Sequence, residues 1–239
     1  MNLLFADINR LASSLDPAPV LEAFESDLHR YVAEWAPRRV FVHAGVVGWK
    51  GRAIVIPGRS FTGKSTLVAG LVRHGATYYS DEYAVLDGRG RVHPFPRALA
   101  LRNNGNTKQE RLSLKSLGGK TGSEPLPVGL VVVSRYRAGA RWRPRRLTPG
   151  QGVLALLANA VSARRQPNRV LSSLRQAIAR APVIQGTRGE AGEVAARLLR
   201  QLDTKQRGGM GARSEPMTRL GRIGSAGRIS RSGNGSSAP

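Results

Sequence analysis

The apolar positions of this chain change period several times, and each change marks an element. Val20, Leu21, Phe24, Leu28 and Tyr31 recur at helical spacing, Asp16 can cap the turn before them, and Pro17 suits a first helical position. The pattern predicts a helix over residues 17–34 that packs on the core. Val40 to Trp49 is rich in β-formers, Gly51 marks a turn, and Ala53 to Ile56 is a short apolar strand that stops at Pro57-Gly58. A hairpin feeding a loop is predicted there. Leu67, Val68, Leu71 and Val72 then give a helix over Lys64 to His74, closed by Gly75.

Thr77 to Tyr79 and Ala84 to Leu86 read as short strands, with Asp87-Gly88-Arg89-Gly90 turning into Arg91 to His93. Val128 to Val133 is a buried-strand run, and Arg141 to Leu147 is its expected partner. Helices are predicted over Pro149 to Val161, Pro167 to Arg180 and Glu190 to Leu202. The chain has no internal repeat. Strands interleaved with covering helices predict an α/β fold, a mixed β-sheet layered with helices.

Between the apolar strand and the first of these later helices stands Gly58-Arg59-Ser60-Phe61-Thr62-Gly63-Lys64-Ser65-Thr66, which fits G-x-x-x-x-G-K-[ST] in its proper context. Such a P-loop meets the charge of a triphosphate with backbone N–H groups and the positive end of the following helix. Lys64 is expected to supply a point charge to the β- and γ-phosphates, and the Ser65 hydroxyl a ligand to Mg²⁺.

No acid occurs between Glu34 and Asp81, so the first carboxylates after the loop are the adjacent Asp81 and Glu82. The strand that follows a loop–helix unit returns beside the loop, which brings both acids near the terminal phosphate. One of the pair could hold Mg²⁺ and the other could take a proton from an attacking hydroxyl. His43 lies on the strand before the loop; alone, a strand histidine is more often a satisfied core residue.

The chain has 239 residues with 41% hydrophobic, enough for one substantial core. It lacks cysteine, which excludes disulfides, thiolate metal sites and thiol catalysis and fits a cytoplasmic protein. No secretory signal is expected at Met1 to Asn9, and no apolar run approaches the roughly 20 residues that span a bilayer. The net charge of +23 calls for anionic partners, yet only 5% of residues are aromatic, which argues against nucleic acid. Pro125 to Gly189 holds no acid but twelve arginines, including Arg135, Arg137, Arg141, Arg143, Arg145 and Arg146. One such arginine could face the γ-phosphate, and nothing in the pattern singles it out. From Lys205 onward eight Gly, six Ser and seven basic residues with one acid predict a disordered basic tail. The expected organisation is therefore a body over residues 1–203 and a tail over 204–239.

Together, His43-Ala44-Gly45, the loop from Gly58 to Ser65, and Gly75 followed by Ser80-Asp81-Glu82 resemble the C-terminal kinase domain of HPr kinase/phosphorylase. That family shares its arrangement distantly with phosphoenolpyruvate carboxykinases. It pairs a Val-His-Gly strand with a Walker loop and an Asp-Asp pair, where this chain has Val42-His43-Ala44 and Asp81-Glu82. The resemblance covers Arg39 to Arg102. It implies an ATP- and Mg²⁺-dependent kinase whose acceptor is a serine on a small protein or peptide, not necessarily HPr itself. Lys64 would contact phosphate, Ser65 and Asp81 would bind Mg²⁺, His43 would lie beside the transferred group, and Glu82 would occupy the position of the base.

Phe61 replaces a usual glycine of the family's loop. The Glu-Arg-Gly-rich segment linked to the reverse reaction has no convincing match among Asn103 to Gly122, so the resemblance carries the kinase reaction and leaves the phosphorylase reaction open. The family's N-terminal domain has no counterpart here, so a stand-alone member is expected. Family members often form homo-oligomers. An ATP-binding regulatory module and a small-metabolite kinase remain as alternatives.

Overall fold

The computed structural model describes residues 1–59, 62–102 and 109–210. In chain order the elements are β1 (Asn2–Ala6), β2 (Asn9–Ser14), α1 (Pro17–Trp35), β3 (Val40–Trp49), β4 (Arg52–Pro57), α2 (Lys64–Arg73), β5 (Thr77–Ser80), β6 (Tyr83–Leu86) and β7 (Arg91–His93). There follow β8 (Leu99–Arg102), β9 (Gln109–Leu112), β10 (Leu126–Tyr136), β11 (Arg145–Arg146), α3 (Pro149–Leu157), α4 (Pro167–Ile178), β12 (Val183–Arg188) and α5 (Ala191–Met210). The expected mixed α/β layering is present.

The central sheet has eight strands in the order β11-β12-β10-β4-β3-β6-β7, with β5 paired to β3. β10 runs parallel to β4 and β12, and β3 runs antiparallel to β4, β5 and β6. The first residues of β10 also pair with β7, so the sheet curls back on itself.

Both faces of this sheet are covered, which is why β4 reads as a continuous apolar run instead of an alternating one. Ala53 and Val55 join a buried cluster with Leu174 and Ile178 of α4, whereas Ile54 and Ile56 join one with Leu67 of α2 and Leu198 of α5. In β10, Val128 and Leu130 are two residues apart yet belong to opposite clusters. A register irregularity between them inverts the facing. At the far end, the Trp49 indole donates to Asp203 at 2.9 Å and Lys50 pairs with the same carboxylate at 2.8 Å, tying α5 to the β3–β4 hairpin.

Several expectations change. Only Arg145–Arg146 of the segment Arg141 to Leu147 forms a strand, and it pairs with β12, not with β10. Pro144 offers no N–H to a ladder, and Trp142 is buried against Gly186. The hairpins β1–β2 and β8–β9 and strand β12 were not expected. α3 ends at Leu157 and α4 at Ile178, short of the expected Val161 and Arg180, while α5 runs on to Met210, beyond the expected Leu202. The remainder of the expected tail, residues 211–239, lies outside the described residues.

α1 forms with Asp16 as its cap, whose carboxylate accepts from the Ala18 N–H at 3.0 Å. Its apolar stripe, however, is not what meets the body. Leu21, Phe24, Leu28 and Tyr31 are all exposed, whereas Ala33 is buried with Phe41, Tyr83 and Val85, and His29 packs edge-on against Phe95. The smaller side chain gives the closer approach.

The Asp87 turn forms as expected, its carboxylate accepting from the Arg89 and Arg91 N–H groups at 2.9 Å each. Gly90 there has φ +73°, and a Cβ on it would stand 2.2 Å from the backbone N of Ala177 in α4. Gly90→Ala is expected to lower stability by roughly 2–5 kcal/mol, combining left-handed strain with a clash against helix backbone. Urea unfolding checks this, and a wild-type midpoint would contradict the contact between the turn and α4.

Candidate functional site

Gly58 leaves the end of β4 with its N–H donating to the His43 carbonyl of β3 at 3.1 Å. The loop closes on the Arg59 carbonyl, which accepts from Thr62 Oγ1 and Lys64 Nζ at 2.9 Å each. Ser60 and Phe61 lie outside the described residues. Gly63 takes a left-handed backbone, φ 81° and ψ 18°, and α2 starts directly after it with no side chain capping its first turn and no acid in that turn. The first N–H groups of a helix have no partners within it and carry the positive end of its dipole, so this is an anion-seeking surface. Thr66 is exposed on the same turn.

The acid pair faces that surface because β5 and β6 pair with different halves of β3. The chain crosses from one to the other through Ser80-Asp81-Glu82. Ser80, buried, fixes the crossing: its hydroxyl accepts from the N–H groups of Glu82 and Tyr83 at 3.1 and 3.0 Å. The Glu82 carbonyl accepts from the Ala44 N–H at 3.1 Å. Asp81 then stands beside the start of α2, with Ser65 Oγ donating to its Oδ2 at 3.3 Å.

On the other side of Asp81, the Tyr78 hydroxyl lies 3.2 Å from Oδ1 and 2.8 Å from the Arg97 carbonyl. Burial, followed by the Asp81 charge, pushes the Tyr78 phenol well above its ordinary pKa, so it stays a protonated donor. The Glu82 carboxylate pairs with Arg97, whose second terminal nitrogen reaches Glu25 of α1 at 3.0 Å. Arg97 therefore links the acid pair to the N-terminal helix.

Lys64, Ser65, Asp81, Glu82 and His43 thus come together at the end of β4, beside the crossing from β5 to β6 and in the middle of the sheet. The Lys64 ammonium is lowered in pKa by burial, a shift opposed by the charges of Asp81 and Glu82. Ser65 and Asp81 present two hard oxygen donors side by side. Among the described residues no three His, Asp or Glu cluster as a cage for a metal ion. Two oxygens nevertheless suit Mg²⁺, which keeps several waters and shares a nucleotide's phosphate oxygens.

The His43 ring packs on Tyr83 with centroids 4.8 Å apart. Burial, then the Lys64 charge, lowers its pKa below the ordinary value, so it is neutral near pH 7. With the folded value depressed, the unfolded chain takes up the proton first, and stability declines as pH falls through the usual imidazole range. His43→Asn is expected to lose less melting temperature than the wild type between about pH 7.5 and 5.5. Identical declines in the two proteins would contradict a depressed His43.

Sequence reasoning assigned no role to Tyr78 or Arg97, offered Ser80 only as part of the motif Ser80-Asp81-Glu82, and offered Arg188 only as one of the twelve arginines between Pro125 and Gly189. Ser80 had a readable signal, a hydroxyl residue directly before the acids at a strand end; Arg97 and Arg188 act across long separations in the chain, and Tyr78 joins its near neighbour Asp81 to the distant Arg97 carbonyl. Arg135, Arg137, Arg141, Arg143, Arg145 and Arg146 are all exposed. Among the described residues no helix is long and apolar enough to cross a membrane.

No protein-family model and no curated protein matches the chain. Among solved structures it is similar to the HPr(Ser) kinase/phosphatase from Coxiella burnetii, at 15% sequence identity and a TM-score of 0.41, over 70% of this chain and 98% of that one.

Proposed function

We propose that this chain is an ATP- and Mg²⁺-dependent phosphotransferase of the HPr kinase type, whose acceptor is a hydroxyl, a serine of a small protein or peptide. The observation that carries this reading is the hydrogen bond from Ser65 Oγ to Asp81 Oδ2 at 3.3 Å. It joins the metal-binding hydroxyl of the glycine loop to the first of two acids otherwise distant in sequence.

In this reading the loop from Gly58 to Thr66 and the first amides of α2 hold the phosphates, with Lys64 as their point charge. Ser65 and Asp81 would hold Mg²⁺, which when bound neutralises charge on the phosphate oxygens. The acceptor oxygen bonds to the γ-phosphorus as the bond to the β–γ bridging oxygen breaks, ADP leaves, and Glu82 takes the hydroxyl proton. Arg97 orients the Glu82 carboxylate, and neutral His43 lines the site. We assign the activity to the body formed by residues 1–203.

The ion pair between Arg97 and Glu82 favours a second reading, an ATP-binding regulatory module, because the guanidinium occupies the carboxylate that would otherwise receive the acceptor's proton. Incubation of the full chain with γ-labelled ATP, Mg²⁺ and small polypeptides, including any encoded beside it, separates the two. Label on a serine supports the kinase. ATP binding with no transfer to any polypeptide supports the regulator.

A further inference from the structure

Arg188 ends β12 with only 1% of its surface exposed. Its Nη2 donates to the Gly63 carbonyl at 2.7 Å and its Nη1 to the Gly189 carbonyl at 2.9 Å, while its Nε, also buried, has no partner. Beside it lies the Tyr136 ring, 5.3 Å from the guanidinium. Glu190, the nearby acid, accepts from the Tyr136 hydroxyl at 3.0 Å, and its charge favours the guanidinium without outweighing the burial that lowers the Arg188 pKa. Among the described residues no carboxylate forms an ion pair with Arg188. A cation buried against neutral carbonyls is costly to a fold unless something else balances it.

The place of this charge gives the balance. The Gly63 carbonyl also accepts from the Leu67 N–H at 3.1 Å, so two donors fix its peptide plane. In a trans peptide the C=O and the following N–H point in opposite directions. With the Gly63 C=O turned along α2, the Lys64 N–H is turned out of the helix start, where an anion would be met.

We infer that Arg188 is a positioning residue and the second fixed cation of the phosphate site: bound polyphosphate balances its guanidinium, and its bond to Gly63 aims the Lys64 amide at that anion. The inference rests on the nucleotide reading above and names the ligand class more narrowly, as a chain of phosphates recognised by charge independently of the nucleoside. Arg188 stands 125 residues from Gly63, so the site is completed by the last strand of the sheet.

The test uses the full chain, wild type and Arg188→Met, melted without ligand and titrated calorimetrically with MgATP and with inorganic tripolyphosphate. Met fills the space but removes the charge. The variant is expected to melt at or above the wild-type temperature and to bind both probes about ten- to a hundredfold more weakly. Arg188→Lys, which keeps the charge, is expected to bind more tightly than Arg188→Met. A methionine variant that melts well below the wild type or fails to fold would assign Arg188 to structure alone and overturn the inference. So would unchanged affinity in that variant, or equal affinities in the two variants. If the wild type binds neither probe, the nucleotide reading itself fails and takes this inference with it.

Discussion

Glu82→Gln is expected to slow phosphoryl transfer by about 10²–10⁴-fold while MgATP affinity stays within about twofold of wild type. Glutamine keeps a carbonyl oxygen for Arg97 and nearly the same shape, and the crossing held by Ser80 involves only backbone N–H groups of Glu82 and Tyr83. In the proposed reaction, what is lost is the ability to take a proton as the hydroxyl attacks. In energetic terms this range is roughly 3–5 kcal/mol of barrier. Transfer rates from labelled ATP and calorimetric titration of the same preparation check both halves of the expectation. Unchanged turnover would leave Glu82 as an acid tied to Arg97 without a catalytic role, and parallel loss of affinity would move it into nucleotide binding.

Lys64→Ala should weaken MgATP binding by about ten- to a hundredfold and reduce transfer further, because in the proposed reaction the ammonium binds the phosphates and stabilises the negative charge that develops on them. The loop itself should survive. The Arg59 carbonyl that accepts from Lys64 Nζ accepts also from Thr62 Oγ1, and α2 begins from the Gly63 backbone, not from the lysine side chain. A melt close to wild type together with weak binding is the expected pair of results. Wild-type affinity in the alanine variant would contradict a phosphate site at this loop.

The parts of the fold read correctly from the residues are those where local chemistry leaves few options. Val40 to Trp49 is bounded by Arg38-Arg39 and Lys50-Gly51, and β3 occupies that run from end to end. The glycine loop needs particular residue types at particular positions, so its strand-to-helix context was readable before any geometry.

Strand β12 was missed because only Val183 and Ile184 are apolar before Gln185-Gly186-Thr187; its pairing with β10 on one side and β11 on the other makes it a strand. Such partners lie far away in the chain and leave no periodic trace. The stripe of α1 was legible as a helix but not as a buried face, since periodicity shows where apolar residues align and not what covers them. Ala33, His29 and Glu25 meet the body, while Phe24 and Tyr31 stay about half exposed.

The acids show the same division. Their arrival beside the loop was predictable from the order strand, loop, helix, strand. Their environment was not: Arg97 reaches Glu82 across 15 positions, and the Tyr78 hydroxyl meets the Arg97 carbonyl across 19.

The most direct test of a single site made by loop and acids is a crystal structure of the full chain with Mg²⁺ and a non-hydrolysable ATP analogue. It should show the terminal phosphates on the Gly63–Ser65 backbone and Lys64, the metal against Ser65 and Asp81, and the Glu82 carboxylate facing the γ-phosphate. A nucleotide bound away from the loop, or one seated there with Asp81 and Glu82 out of reach of its phosphates and metal, would contradict the account.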